Sequence, residues 1–348
     1  MATETKGTVL VALGANLLIA LAKAAGGAVT GSSALLSEAA HSFADTFNEV
    51  FLLLSLRKGA KPADRTHPFG YGKERFFWSL LAAVGIFVSG AGFSAYQGVE
   101  ALLGHPPEPS RTEFLVVYVV LAVSLVLEGG SLVKALGQVR REAREANRAP
   151  LDFVRRSPDP TVKTGASEDT VAVVGVLVAL VGTALHQLTG SVAWDAAASL
   201  VIAGLLAYVA FVLGRDTKEL LIGESADPGV RLSAYDALVG REEVVGVKEL
   251  LTMQLGPSAV LVGARVQFVE TLTAGQLERV CTEIEQAMHR RVPDISQVFL
   301  DPSRVEDGDA ERGQAALALT RRELADLEGA AAPGGLRTST GRRCSGRP

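Results

Sequence analysis

The sequence predicts an α-helical membrane protein: six transmembrane helices followed by a small α+β, ferredoxin-like cytoplasmic domain. Three observations predict it. Of the 348 residues, 48% are hydrophobic and 21% charged, with the charges unevenly spread, and the mean hydropathy is positive. Six apolar stretches have about the 20 residues needed to cross a bilayer. After Arg215 the pattern turns to the shorter periodicities of a soluble α+β unit. The expected division is a membrane part at residues 7–215, a soluble unit at 224–304 and a disordered tail at 305–348.

The spans are read at 8–29, 32–56, 76–99, 113–134, 164–186 and 192–213. The third, Phe76 to Val99, carries no formal charge. The first contains Lys23, and the second contains several ionisable residues, so both are weaker on hydropathy alone. Short links at 30–31 and 187–191 force the first and last pairs into antiparallel hairpins. Arg57, Lys58, Lys61, Arg65, Lys73 and Arg75 lie in one inter-span link. The link after the fourth span holds Arg140, Arg141, Arg144, Arg148, Arg155, Arg156 and Lys163, whereas the links on the other side hold only Arg111. The positive-inside rule therefore places both termini in the cytoplasm. No small-residue cleavage site follows residues 1–6, so no cleaved signal peptide is expected.

A net charge of −4 provides no global basic field, which excludes nucleic acid as a partner. Cys281 and Cys344 are too few for a disulfide framework or a thiolate metal site. No GxxxxGK[ST] pattern occurs, so nothing in the sequence marks a P-loop ATPase.

An ionisable side chain within a span is costly and marks a functional position by default. The second span holds Glu38, His41, Asp45 and Glu49. At ~100° per residue their offsets fall within an arc of about 80°, on one helix face. His41 and Asp45, four residues apart, are close enough to share one ligand. Glu38 and Glu49 serve either as ligands or as interhelical contacts near the span ends. The fifth span opens with Glu168 and Asp169, whose side chains diverge; Asp169 is the better candidate, and a helix-terminal acid is the alternative. Glu128, followed by Gly129 and Gly130, is either a proton carrier or a partner for Lys134 or Lys23. Asp195 reads as a cap. An imidazole with two or three carboxylates suits zinc, and the acids leave manganese, iron and cobalt open. The absence of thiolate argues against copper(I).

The soluble part reads as helix 228–240, strand 246–255, strand 259–270, helix 274–291 and strand 295–301, an αββαβ order. Residues Val260, Val262, Ala264, Val266 and Phe268 alternate as a half-buried strand. Beyond Asp307 a short exposed helix at 309–328 is possible, and no chemistry is assigned to the tail or Cys344.

Several stretches, in order, carry a family resemblance: TGSSALLSEAAHSFADTFNE, HPFGYGKERFFWSL, SEDTVAVVG, WDAAASLVIAGLL and LLIGESADP. Over residues 8–304 the chain resembles the cation diffusion facilitator family of metal exporters. The resemblance implies a transport site formed by His41 and Asp45 on the second span and two residues on the fifth. There Asp169 matches the family pattern, but the position four residues earlier is Gly165, so Glu168 is the expected substitute. A further family site in the loop after the second span matches at Asp64 and His67, with Tyr71 at the third ligand position. In the cytoplasmic domain only Asp301 coincides with a family ligand, beside Lys248 and Ala264, so a regulatory binuclear site is not expected. The resemblance also implies a homodimer paired through the cytoplasmic domain, and exchange of metal for protons.

The expected function is therefore a secondary transporter exporting Zn2+, its substrate, or a similar divalent cation. Its partners are the metal ion, protons, the bilayer and a second copy of the chain, in a bacterial inner membrane. Metal needs a neutral imidazole and ionised carboxylates, so binding displaces protons. The alternatives are a non-transporting, metal-responsive scaffold, kept open by Gly165, and a membrane metallohydrolase. The hydrolase would lack a general base, because His105, His186 and His289 are expected in loops or the soluble domain.

Overall fold

A computed structural model describes residues 6–104, 109–145, 148–157, 159–304, 317–322 and 324–325. The bundle comprises α1 (Lys6–Thr30), α2 (Ser33–Gly59), α3 (Glu74–Gly85) and α4 (Phe93–Leu103), the last two joined by a π-helical stretch, Ile86–Gly92. It continues with α5 (Arg111–Glu145), α6 (Pro150–Arg156), α7 (Pro160–Thr189) and α8 (Ala193–Ile222). Among the described residues four helices are long and apolar enough to cross a membrane: Glu74–Leu103, Arg111–Glu145, Ser167–Thr189 and Ala193–Ile222. The apolar described part of α1 is the shorter Asn16–Thr30, and α2, which carries the Glu38–Glu49 face, does not reach that apolarity.

Most helix ends run past the apolar stretches that predicted them. Helix α5 continues to Glu145 and α8 to Ile222, because hydropathy marks the apolar part while Ala, Glu, Arg and Leu propagate the helix beyond it. Helix α7 likewise runs to Thr189, where Gly190 turns the chain at φ 69°. His186, expected in a loop, therefore lies in the last turn of α7, buried and edge-on to Phe114. Gly31, at φ 67°, makes the equivalent turn between α1 and α2. His105 lies outside the described residues.

The bundle core gathers Leu35, Ile86, Leu121, Val176, Ile202 and Leu206 from five segments. The opposite faces expose Leu18, Val88, Val126 and Phe211, an apolar exterior of the kind that a hydrocarbon phase covers. Asp195, in the first turn of α8, holds the start of α2. Its buried carboxylate accepts from Ser33 Oγ at 2.9 Å, Ala34 N at 3.2 Å and Ser32 Oγ at 3.1 Å. It is thus a cap, but for the neighbouring helix.

The remaining elements are α9 (Pro228–Val239), β1 (Val244–Gly256), β2 (Ala259–Phe268), α10 (Ala274–Arg291) and β3 (Ile295–Pro302). The sheet order is β1-β2-β3, with β1 antiparallel and β3 parallel to β2. The alternating side chains of β2 are buried with Val280, Ile284 and Met288 of α10. Thr273 and Gln276 form a capping box at the start of α10. Residues 317–322 and 324–325 are helical, within the stretch where a short helix was expected; Cys344 and most of the tail lie outside the described residues.

The sheet sits at the end of the bundle that carries the basic links. Gly72 lies against the β1–β2 turn so closely that a Cβ there would meet Leu255 O at 2.5 Å and Gly256 Cα at 3.0 Å. Gln254 N donates to Glu224 O at 2.9 Å, and Arg148 pairs with Asp227 at 3.3 Å.

Two outcomes test this packing. Asp195→Ala leaves the donors at the start of α2 unpaired in the core, a loss of about 1–3 kcal/mol, and thermal unfolding in detergent should shift down by several degrees. Gly72→Ala should destabilise by about 1–3 kcal/mol through overpacking, whereas Gly275→Ala, with open space around it, should leave the melting curve unchanged.

Candidate metal-transport site

Between α1, α2, α5 and α7 lies a cavity of about 760 Å³. Five carboxylates line it: Asp45, Glu49, Glu128, Glu168 and Asp169. Asp45 and Glu49 project from the face of α2 that the sequence identified. Glu168 and Asp169 open towards different neighbours, as adjacent helical residues must. Glu168 turns to α2, where Asn48 Nδ2 donates to its oxygens at 2.8 and 2.6 Å. Asp169 turns to α5 and accepts from Ser131 Oγ at 3.2 Å. Glu49 accepts from Asn16 Nδ2 at 2.6 Å, and Glu128 from Lys23 Nζ at 2.6 Å.

His41 and Asp45 differ from the rest. The buried His41 places Nδ1 3.5 Å from Asp45 Oδ1 without hydrogen-bond geometry. Neither ring nitrogen of His41 nor Asp45 Oδ1 has a hydrogen-bond partner. Buried polar atoms of this kind are rare and call for a functional explanation. His41 stands behind Asp45 rather than on the cavity lining itself.

The predicted ligands are thus gathered around one cavity but are not closed on one point. Among the described residues no three His, Cys, Asp or Glu side chains form a ready metal cluster. Asn48 and Ser131 hold Glu168 and Asp169 apart, and a cation would draw them inward. Asn48 was missed by the sequence reading, although its offset of seven from His41 puts it on the same face of α2. Asn16 and Ser131 carry no ionisable group, so no comparable signal marked them. Gly165 also lines the cavity, and a side chain there would meet nothing within 4 Å.

Asp64 and His67 are exposed in the loop between α2 and α3 and lie outside the cavity lining. Asp64 organises that loop: it accepts from Tyr71 Oη at 2.7 Å and from the backbone N–H groups of His67 and Thr66. The Tyr71 hydroxyl, followed by the His67 N–H, holds the Asp64 carboxyl below the usual carboxylate range. Its ion-pair distance to His67 is 3.8 Å. In the sheet unit Asp301 pairs with Arg265 at 3.3 Å, and His289 Nδ1 lies 2.6 Å from Ile295 O.

Residues 9–222 match the cation efflux transmembrane domain. The chain belongs to the cation efflux family. This is the family of cation diffusion facilitators that the ordered motifs resemble. The human mitochondrial proton-coupled zinc antiporter SLC30A9 is 35% identical over 274 residues, covering 78% of this chain and 48% of the relative. Metal tolerance protein C4 of Arabidopsis thaliana is 31% identical over 265 residues, 76% of this chain and 57% of that protein. The manganese efflux system protein MneP of Bacillus subtilis is 24% identical over 298 residues, 84% of this chain and 93% of its own length. The chain spans about half the length of the SLC30A9 relative. Cation efflux proteins are transporters, not enzymes, so the metallohydrolase reading is set aside.

Within this family the departure at Gly165 becomes testable. Gly165→Asp adds a carboxylate in open space on the cavity wall. It should fold normally and bind Zn2+ several-fold more tightly by titration calorimetry; an unchanged affinity would show that the metal does not approach this part of α7.

Proposed function

We propose that the chain is a proton-coupled exporter of divalent cations, with zinc as its main substrate. The observation that carries this reading is the unpartnered His41–Asp45 pair at the wall of a cavity lined by five carboxylates. Asp45, His41, Glu168 and Asp169 would bind the metal, with Asn48 and Ser131 releasing the two acids on α7. Zinc accepts both imidazole nitrogen and carboxylate oxygen. The zinc of the SLC30A9 name and the manganese of the MneP name both fall within the range of this donor set. The ligands bind metal only when deprotonated, so a proton arriving from the far side would expel it. Glu128 is then a further carrier on the same cavity.

In the same reading the six long helices all span the membrane, four of them long and apolar enough among the described residues. The basic links and the sheet unit then face the cytoplasm with both termini, and a bacterial inner membrane remains the assigned location. The transport part is residues 7–215 and the soluble part 224–304, a ferredoxin-like unit. Its outer sheet face carries Leu251, Gly263 and Phe299 side by side, with Leu251 and Phe299 exposed. That apolar row supports pairing of two copies through this face. Asp64 and His67 stay a minor second metal position.

Reconstitution in liposomes tests the core of this reading. With an imposed pH gradient, zinc should enter vesicles holding the wild-type chain, and Asp45→Ala should lower the rate at least about a hundredfold, the cost of losing a ligand. Flux of manganese without zinc would change the substrate and keep the site. Binding without flux of any divalent ion would favour a metal-responsive scaffold.

A further inference from the structure

We propose that Lys23 is a tethered counter-cation that sets how tightly the cavity holds its metal. The inference rests on the transport site proposed above and adds a residue outside its ligand set. Lys23 lies near the middle of α1, with its side chain fully buried. Its Nζ donates to Glu38 Oε2 at 2.9 Å and Ser42 Oγ at 3.0 Å, both on α2, and to Glu128 Oε1 at 2.6 Å on α5. Three donors meet three acceptors, so the ammonium is saturated.

The two carboxylates are not. Glu38 Oε1 and Glu128 Oε2 have no hydrogen-bond partner. One ammonium against two carboxylates leaves a formal charge of −1 in a buried cluster, an arrangement that stabilises a fold poorly. Glu38 is also wedged in place: it lies against Gly175 of α7, where a Cβ would collide with its carboxylate. The cluster therefore ties α1, α2, α5 and α7 together and fixes a positive charge at one point.

That point is directly behind the cavity wall. Ser42 and Glu128, two of the three acceptors, line the cavity, and Ser42 follows His41 in the chain. Through its bond to Ser42, the Lys23 charge sits one residue from His41 and three from Asp45 along α2. Five carboxylates around one cavity attract a divalent cation strongly, and a transporter must also let it go. A fixed positive charge at short range in a poorly screened interior weakens cation binding. Unlike a mobile ion, a tethered ammonium cannot leave, so the offset persists through the cycle. Lysine suits the position because its compact charge can meet three acceptors in different directions.

Zinc binding by the purified full-length chain, measured by titration calorimetry with Zn2+, tests the proposal beside zinc flux in proteoliposomes. Lys23→Gln should bind Zn2+ at least about tenfold more tightly and lower both KM and kcat, because release slows. Lys23→Arg should restore most of the wild-type affinity. Glu38→Gln, which keeps the shape and does not line the cavity, should move affinity the other way by leaving the ammonium less compensated. A merely structural role would not shift the two variants in opposite directions. If wild-type protein binds and carries zinc while folded Lys23→Gln or Glu38→Gln has an unchanged dissociation constant, the counter-cation is overturned and the transport site stands. Should Lys23→Gln not fold, Glu38→Gln and Lys23→Arg decide alone. Wild-type protein that neither binds nor carries zinc overturns both.

Discussion

Repulsion among carboxylates inside an apolar bundle is the constraint on which the rest of this structure depends. Five acids face one cavity, where their charges are screened less than on an open surface. Four of them are met by a donor from another helix: Asn16 and Lys23 from α1, Asn48 from α2, Ser131 from α5. Asp45 meets no such donor and keeps Oδ1 unpartnered beside His41, while Glu49 and Glu128 each keep one oxygen unpartnered as well. The donors thus do two things at once. They make burial of the acids tolerable, and they hold the acids at separate stations around a space large enough for an ion.

That arrangement needs helices held at fixed depth and rotation. Asp195 supplies part of this by holding the first turn of α2 from α8. One helix turn later on α2 begins the face that includes Glu38, His41, Asp45 and Glu49, so depth at the outer end fixes depth at the site. On the other side of α2, Gly90 of the π-helical stretch packs towards Ala44 and Leu206. A π-helical stretch widens the backbone spiral locally and is common beside functional sites. Here it lets α2, the third hydrophobic helix and α8 meet closely next to Asp45.

Much of this was legible in the sequence because both kinds of pattern are local. Apolar runs located the long helices, and the alternation of Val260 to Phe268 located the buried face of β2. The His41–Asp45 spacing located one helix face within the cavity wall. What escaped was set by tertiary packing. Nothing local says that Asn48 serves Glu168, or that Asp195 caps a helix more than 160 residues away in the chain. The choice between Lys23 and Lys134 as partner for Glu128 likewise depends on which helices adjoin. His186 was misplaced because it stood at the last residue of its apolar run, where the run itself does not show that the helix continues to Thr189.

Of the long helices, α2 does not reach the apolarity of a membrane span, and this follows from what it carries. Glu38, His41, Asp45 and Glu49 depress the hydropathy of α2, while the apolar run of α1 holds the single charge of Lys23. Every one of those groups points inward, to a partner or to the cavity, so the lipid-facing surface stays apolar: Leu18, Leu21 and Phe47 remain exposed. An average over a helix counts these groups as exposed to lipid, which they are not. The charges also need each other. Without Lys23 on α1, Glu38 and Glu128 would be buried carboxylates lacking a cation, and without those acids Lys23 would be a buried, unpaired ammonium. Helices α1 and α2 are therefore viable in the bilayer as a pair docked on α5 and α7. Docking of this half of the bundle and assembly of its acid-lined cavity are then one event, driven by the same contacts.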